Sequence, residues 1–333
     1  MSQAEWIEDP IDLLYLTGLP LSRGLLLRTH NERALFVDGR YYATAQKNAP
    51  CPTFLWDDAA PSHWLRERDI KTLAFDSAKT SVDRFEALKK KTTGLKLTAV
   101  SSLLKRERAL KSPQEIARLR AAACLTLRGI EHIQGLLAPG ISEEEIAWAF
   151  ELFVRKQGAS GLSFEPIIAF GENSAYPHHR AGKTRLQPNQ IVLMDVGAIL
   201  ENYRGDLTRI HRFGHLNHEL EDMIRWTLEA KAAAEALVRP GTLVETLDLT
   251  AKRVFGARGV EALFVHGLGH GVGLETHEFP SLKATGPDAQ APLEVGMVIT
   301  IEPGLYRPGL GGVRIEDMLV VTETGAQKLV EDC

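Results

Sequence analysis

Up to about residue 108, short β-type runs alternate with helical ones. Ala34-Leu35-Phe36-Val37, followed by Asp38-Gly39, reads as a strand ending in a turn. Lys71-Thr72-Leu73-Ala74-Phe75 reads as a second strand and Val82 to Lys91 as a helix. The alternation predicts a small α/β domain over residues 1–108. Its acidic residues are dispersed and its histidines, His30 and His63, are isolated, so the pattern places no catalytic cluster there. A charged run, Lys105 to Arg108, then leads to Ser112-Pro113-Gln114-Glu115, where Ser112 can cap a helix, Pro113 suits its first turn and Glu115 completes a capping box. Apolar residues follow at Ile116, Leu119, Ala123, Leu127, Ile130, Ile133 and Leu137, the steps of an amphipathic helix that Pro139-Gly140 stops.

From there the pattern repeats. A second helix, capped by Ser142 with Glu145, ends near Gly158; later His218 to Val238 reads as another long helix, followed by a shorter one from Leu243 to about Phe255. Each helical pair precedes β-rich sequence holding two acidic residues in apolar surroundings: Asp195 and Asp206 first, Glu302 and Glu316 second. Two similar α+β halves predict a pseudo-twofold domain over residues 109–333 with its site between the halves.

Composition narrows the class. The 333 residues carry a formal net charge of −4, which leaves no basic footprint for nucleic acid or an anionic membrane. No run approaches the ~20 apolar residues of a membrane span, and the start, MSQAEWIEDP, lacks the basic and apolar regions of a secretory signal. The cysteines Cys51, Cys124 and Cys333 are scattered, and the expectation is three separate small residues in a reducing compartment. A cytoplasmic protein is expected.

The carboxylates carry the chemistry. In Ile191-Val192-Leu193-Met194-Asp195-Val196-Gly197 a buried-strand pattern is broken by one acid. A turn at Leu200-Glu201 would bring the chain back with 199 opposite 202, 197 opposite 204 and 195 opposite 206, and directly opposed residues hold their Cβ atoms about 5 Å apart. Ile299-Thr300-Ile301-Glu302 ends a strand on a carboxylate, and Val313 to Val321 is expected to hold Glu316 within another strand. Burying several carboxylates costs several kcal/mol each without compensating cations. An oxygen-rich set with one imidazole suits two hard or borderline divalent ions. HGLGH at 266–270 is not the helical HExxH motif; its glycines favour a loop or extended strand. Three histidines, His266, His270 and His277, nevertheless stand close together there.

The stretches GEN…PHH at 171–179, MDVGA at 194–198, YRGDLTR at 203–209, HGLGHGVG at 266–273, THE at 276–278, IEPGLY at 301–306 and VRIED at 313–317 resemble the pita-bread metallopeptidases, the family of creatinase, aminopeptidase P, prolidase and methionine aminopeptidase. The resemblance runs through 110–333, and DLLYLTGLP with ALFVDGRYY extends it to a creatinase/prolidase-like N-terminal domain. It implies an α+β pita-bread catalytic domain behind a smaller α/β domain, and Asp195, Asp206, His270, Glu302 and Glu316 as ligands of two divalent ions, manganese first, with cobalt or zinc as alternatives. It further implies that Asp206 and Glu316 bridge the ions, that Glu302 accepts the proton of the attacking water, and that His178, His266 and His277 stand near the substrate. Arg314 is expected to brace the carboxylates and Tyr306 to line the site. All five ligand types are present, which counts against creatinase chemistry and against a non-catalytic peptide-binding module. The leading domain favours cleavage after the first residue of peptides with proline second. No arginine directly follows His277 to hold a dipeptide carboxylate. That ranks a Xaa-Pro aminopeptidase above a Xaa-Pro dipeptidase (prolidase), and the family implies a homodimer.

Overall fold

The computed structural model describes residues 2–333, which fall into two compact units meeting at Arg108 and Ala109. In the first unit a six-stranded sheet runs in the order Thr53–Leu55, Arg33–Val37, Leu25–Arg28, Gln3–Ile7, Thr72–Asp76, Lys96–Val100. It is mixed, since Gln3–Ile7 runs parallel to Thr72–Asp76 and antiparallel to Leu25–Arg28. Leu25 and Leu27 join an apolar cluster with Trp6, Trp64 and Phe75, while Leu26 joins another with Leu13, Leu35 and Leu104. The period-two alternation of a strand buried on both faces explains that split.

The second unit repeats a helix pair and a sheet twice. Pro113–Gln134 and Glu143–Lys156 precede a sheet ordered Leu207–Phe213, Gln190–Val196, Ile167–Phe170. His218–Glu235 and Val244–Gly256 precede one ordered Glu278–Leu282, Gly269–Gly271, Val298–Ile301, Asp317–Val321, Ala326–Lys328. Ser112 with Glu115 and Ser142 with Glu145 both form the reciprocal capping box. The core of the second half gathers Met223, Leu247, Phe255, Leu268, Ile299 and Ile301 between its helices and sheet. This is the pita-bread arrangement, and no helix of the described residues is long and apolar enough to cross a membrane.

Three expectations change. The turn after Ala198–Leu200 is Glu201-Asn202, both at positive φ (49° and 71°), so Ile199 faces Arg204 and Leu200 faces Tyr203. Two positive-φ residues suit a tight two-residue hairpin turn. The register is therefore two residues off the expected one: Asp195 lies opposite Thr208, and Asp206 stands just before the strand Leu207–Phe213. A shift of two keeps both acids on the same face. Glu316 is not within a strand; it occupies the break between Gly311–Arg314 and Asp317–Val321. Finally, Cys124 and Cys333 are joined in a disulfide across 209 residues of sequence, while Cys51 stays free. The cysteines are thus not three separate residues. The return of the C-terminal segment onto the helix Pro113–Gln134 makes that pairing, and Arg120 of the helix secures it by donating to the Leu329 carbonyl (3.2 Å) and Gln327 Oε1 (3.1 Å).

Candidate metal centre

The centre is assembled by strand ends. Asp195 ends an entirely apolar run of the strand Gln190–Val196, and Asp206 follows Gly205 at the foot of the partner strand. His270 sits in the middle of Gly269–Gly271, a strand that only glycine can flank. A Cβ on Gly269 would lie 2.1 Å from the Thr300 carbonyl oxygen, and one on Gly271 2.2 Å from that of Phe279. Glu302 leaves the end of Val298–Ile301 with its amide donating to the Leu268 carbonyl at 2.8 Å. Glu316 is held from the other half: its amide donates to the Thr208 carbonyl (3.2 Å), and the Thr208 hydroxyl donates to its Oε2 (2.7 Å).

Asp206, His270 and Glu316 bring their ligating atoms within 4.8 Å of one another, all buried. Glu302 Oε1 stands 3.2 Å from His270 Nε2. His270 Nδ1 lies 3.0 Å from the Gly271 carbonyl, which can only accept, so Nδ1 carries a proton; Nε2 faces the carboxylates and donates to Glu302 when the ring is charged. Metal-ligating histidines are oriented in this way. Burial, then Glu316, pushes Asp206 well above the usual carboxylate range. Burial, then Glu302 and Asp195, pushes Glu316 up to about 8. Asp195 is raised too, chiefly by burial, with Arg314 opposing. Glu302 is the exception: burial works against its charge, but the hydrogen bond and charge of His270 hold it below its ordinary value. Asp195 Oδ1 is buried without a hydrogen-bond partner among the described residues. Crowded, desolvated oxygens with one orphaned atom are the setting that a bound cation would compensate.

A second layer of side chains fixes the first. Arg314, 3 % exposed, donates to Asp195 Oδ2, to the Thr208 hydroxyl (3.2 Å) and to the Tyr306 hydroxyl (2.6 Å). Tyr306 in turn lies 2.8 Å from His266 Nε2, and His266 Nδ1 2.7 Å from the Gly267 carbonyl. The carbonyl accepts from Nδ1–H, so Nε2 is the acceptor, Tyr306 donates to it, and Tyr306 accepts from Arg314. Burial pushes the Tyr306 hydroxyl up to about 12 and the His266 imidazole down. The His277 ring meets that of His270 edge-on at 4.2 Å between centroids. His178 stands on an exposed turn just after Gly171–Ala175. The structure brings nine of the residues singled out from sequence together: Asp195, Asp206, His270, Glu302 and Glu316 at the centre, Arg314, Tyr306 and His266 in a directed chain, and His277 against His270; His178 lies on a segment that packs, through Ser174, on the hairpin holding Tyr306 and Arg314.

Other members escaped sequence reading. Arg209 donates to the Thr208 and Glu316 carbonyls and to Asp317 (2.7 Å), and Lys231 and Lys328 also hold Asp317 (2.6 and 2.9 Å). Despite burial these cations pull Asp317 down to about 2. Asp317 reads from sequence as one more acid beside Glu316, and nothing local marks it as the anchor of three cations on distant elements.

Comparison with known proteins gives the class and then the family. Residues 117–323 match the description of metallopeptidase family M24, and residues 2–110 match the creatinase/prolidase N-terminal domain. The chain belongs to metallopeptidase family M24. It is 33% identical to an uncharacterized peptidase of Staphylococcus aureus over 337 residues, covering 98% of this chain and 94% of that one. Among solved structures it resembles a Xaa-Pro dipeptidase from Bacillus anthracis (TM-score 0.94, 29% identity, 100% and 94% covered). It also resembles an X-Pro aminopeptidase from Thermotoga maritima MSB8 (TM-score 0.91, 28% identity, 99% and 95% covered). The protein is therefore a metallopeptidase, acting on peptides with a divalent metal.

Proposed function

We propose that residues 109–333 form a two-metal peptidase domain that removes the N-terminal residue from peptides with proline second. The orphaned Asp195 Oδ1 among carboxylates raised by burial is the observation that carries the metal assignment. Asp195, Asp206, His270, Glu302 and Glu316 fit the group: four hard oxygen donors and one imidazole, suited to manganese, with cobalt or zinc as alternatives. Asp206 and Glu316, which come from opposite halves, would both help hold the metal. Bound there, divalent cations neutralise the acids and lower the pKa of a water.

The chain's own residues do the rest. Glu302 accepts the proton of the attacking water. Arg314 holds Asp195 in place and, through Tyr306, holds the His266 ring. His178 and His277 at the rim face the scissile amide and the oxygen on which charge develops. The resemblance further implies a homodimer.

The lack of an arginine or lysine on the strand after His277, where a dipeptide's terminal carboxylate would be held, supports aminopeptidase over dipeptidase activity. Glu278–Leu282 forms a strand without a cation, Ser281 pairs across from His270, and Lys111 is bound to Glu278 at 2.7 Å. The dipeptidase is the second reading, favoured by the fit to the Bacillus anthracis Xaa-Pro dipeptidase. Chelator-stripped protein assayed with and without manganese on a Xaa-Pro dipeptide and a Xaa-Pro-Xaa tripeptide tests both. Manganese-dependent release of the first residue from the tripeptide, with little dipeptide turnover, is the expected result. Preference for the dipeptide makes the enzyme a prolidase.

A further inference from the structure

The segment that carries His178 is folded around a single carboxylate. Glu143 is the first residue of the helix Glu143–Lys156, where an acid ordinarily sits in water and complements the helix dipole. Here its side chain is 0% exposed. Oε1 accepts from the Phe170 amide (2.9 Å) and Asn173 Nδ2 (2.8 Å), and Oε2 from His179 Nε2 (2.9 Å) and the Gly182 amide (3.1 Å). The four donors span both ends and the middle of Phe170–Gly182. The far side of the same segment packs on the hairpin that holds Tyr306 and Arg314: the Gly312 amide donates to Ser174 Oγ at 2.8 Å, and a Cβ on Gly312 would lie 2.1 Å from the Ser174 carbonyl oxygen. His179 is the only side chain of the four donors next in sequence to His178, and a buried carboxylate with four donors admits few alternative arrangements.

We propose that Glu143 and His179 are positioning residues that lock Phe170–Gly182 so that His178 stands at the rim of the metal centre, facing the peptide. The inference rests on the peptide-cleaving reading above. His179 acts through its neighbour and touches neither substrate nor metal ligand. Because Nε2 must be a donor, a glutamine amide of similar reach can replace it and an alanine cannot.

The test uses the full-length chain. His179→Ala should lower kcat/KM on the preferred Xaa-Pro peptide by roughly 10- to 100-fold, the range in which a small misplacement acts. His179→Gln should recover most of that loss. In a His178→Ala background the further change to His179→Ala should have almost no effect, because the two act as one unit. Hydrogen exchange of the metal-free protein gives a second readout: amides within 171–182 should exchange faster in His179→Ala, while Val298–Ile301 is unchanged. Additive losses in the double variant overturn the proposal, as do unchanged exchange or a glutamine variant no better than alanine. A wild-type protein that cleaves no peptide overturns the peptidase reading instead, and the exchange experiment still decides whether the lock exists.

Discussion

Arg314 shows how much a single side chain does at the centre. One guanidinium reaches Asp195, Thr208 and Tyr306 at once, and through Thr208 and Tyr306 it touches the settings of Glu316 and His266. An ammonium's three donors radiate from one nitrogen and cannot reach partners spread across the width of a guanidinium. Arg314→Lys should therefore weaken manganese binding or activity about 10- to 100-fold, the range for groups that orient ligands. Titration calorimetry and tripeptide hydrolysis measure the two effects, and a lysine variant equal to wild type removes Arg314 from this role. Asp206 tests the opposite sign. Its carboxylate is desolvated and crowded by Glu316 and Asp195. In the metal-free protein, Asp206→Asn relieves that repulsion and should raise Tm, by roughly 2–4 °C for each kcal/mol regained. The same change should abolish most activity and most of the thermal stabilisation that manganese gives the wild type. A metal-free variant that melts below wild type would show that the acids are balanced within the protein itself.

At the level of elements, local chemistry was legible and register was not. The capping boxes at Ser112 and Ser142 are encoded within four residues, so the starts of both helices are readable from the sequence. The hairpin turn is a different matter. Leu200-Glu201 and Glu201-Asn202 both keep Asp195 and Asp206 on one face, and a period of two cannot separate registers that differ by two. What fixes the hairpin is a tertiary contact. A Cβ on Gly205 would lie 2.3 Å from Thr126 Oγ1 and 2.6 Å from the Ala122 carbonyl oxygen of the helix beneath, so the chain just before Asp206 lies flush on Pro113–Gln134. Gly205→Ala should cost about 1–3 kcal/mol, as overpacking does, and lower activity as Asp206 shifts. Gly161, on a short strand paired with Ala198–Leu200, has only an ordinary 3.7 Å contact with Ile199 Cδ1, so Gly161→Ala should be nearly neutral. Thermal melts of the pair decide it; equal effects would mean that the helix gives way. Glu143 was illegible for the same reason: an acid in a helix's first turn looks solvated until the segment it binds is folded over it.

Across the whole peptidase unit, the two halves are complementary because neither holds all five of the proposed ligands. Asp195 and Asp206 come from the first; His270, Glu302 and Glu316 come from the second. Direct ties join them at the centre, Thr208 to Glu316 and Arg209 to Asp317. The disulfide adds a peripheral tie, since Cys124 lies on the helix that supports the Asp195–Asp206 hairpin and Cys333 follows the last strand of the sheet that carries His270. Closing a loop this long removes chain entropy from the unfolded state, and native disulfides of this kind typically contribute about 2–4 kcal/mol. Cys333→Ser should lower the denaturation midpoint of the oxidised protein accordingly, and reductant should bring wild type down to the variant while leaving the variant where it is. Without reductant, the unfolded wild type should titrate one thiol, that of Cys51. Three thiols, with a midpoint indifferent to reductant, would mean that the halves are held together by Arg120 and the ties at the centre, with the two sulfurs merely adjacent.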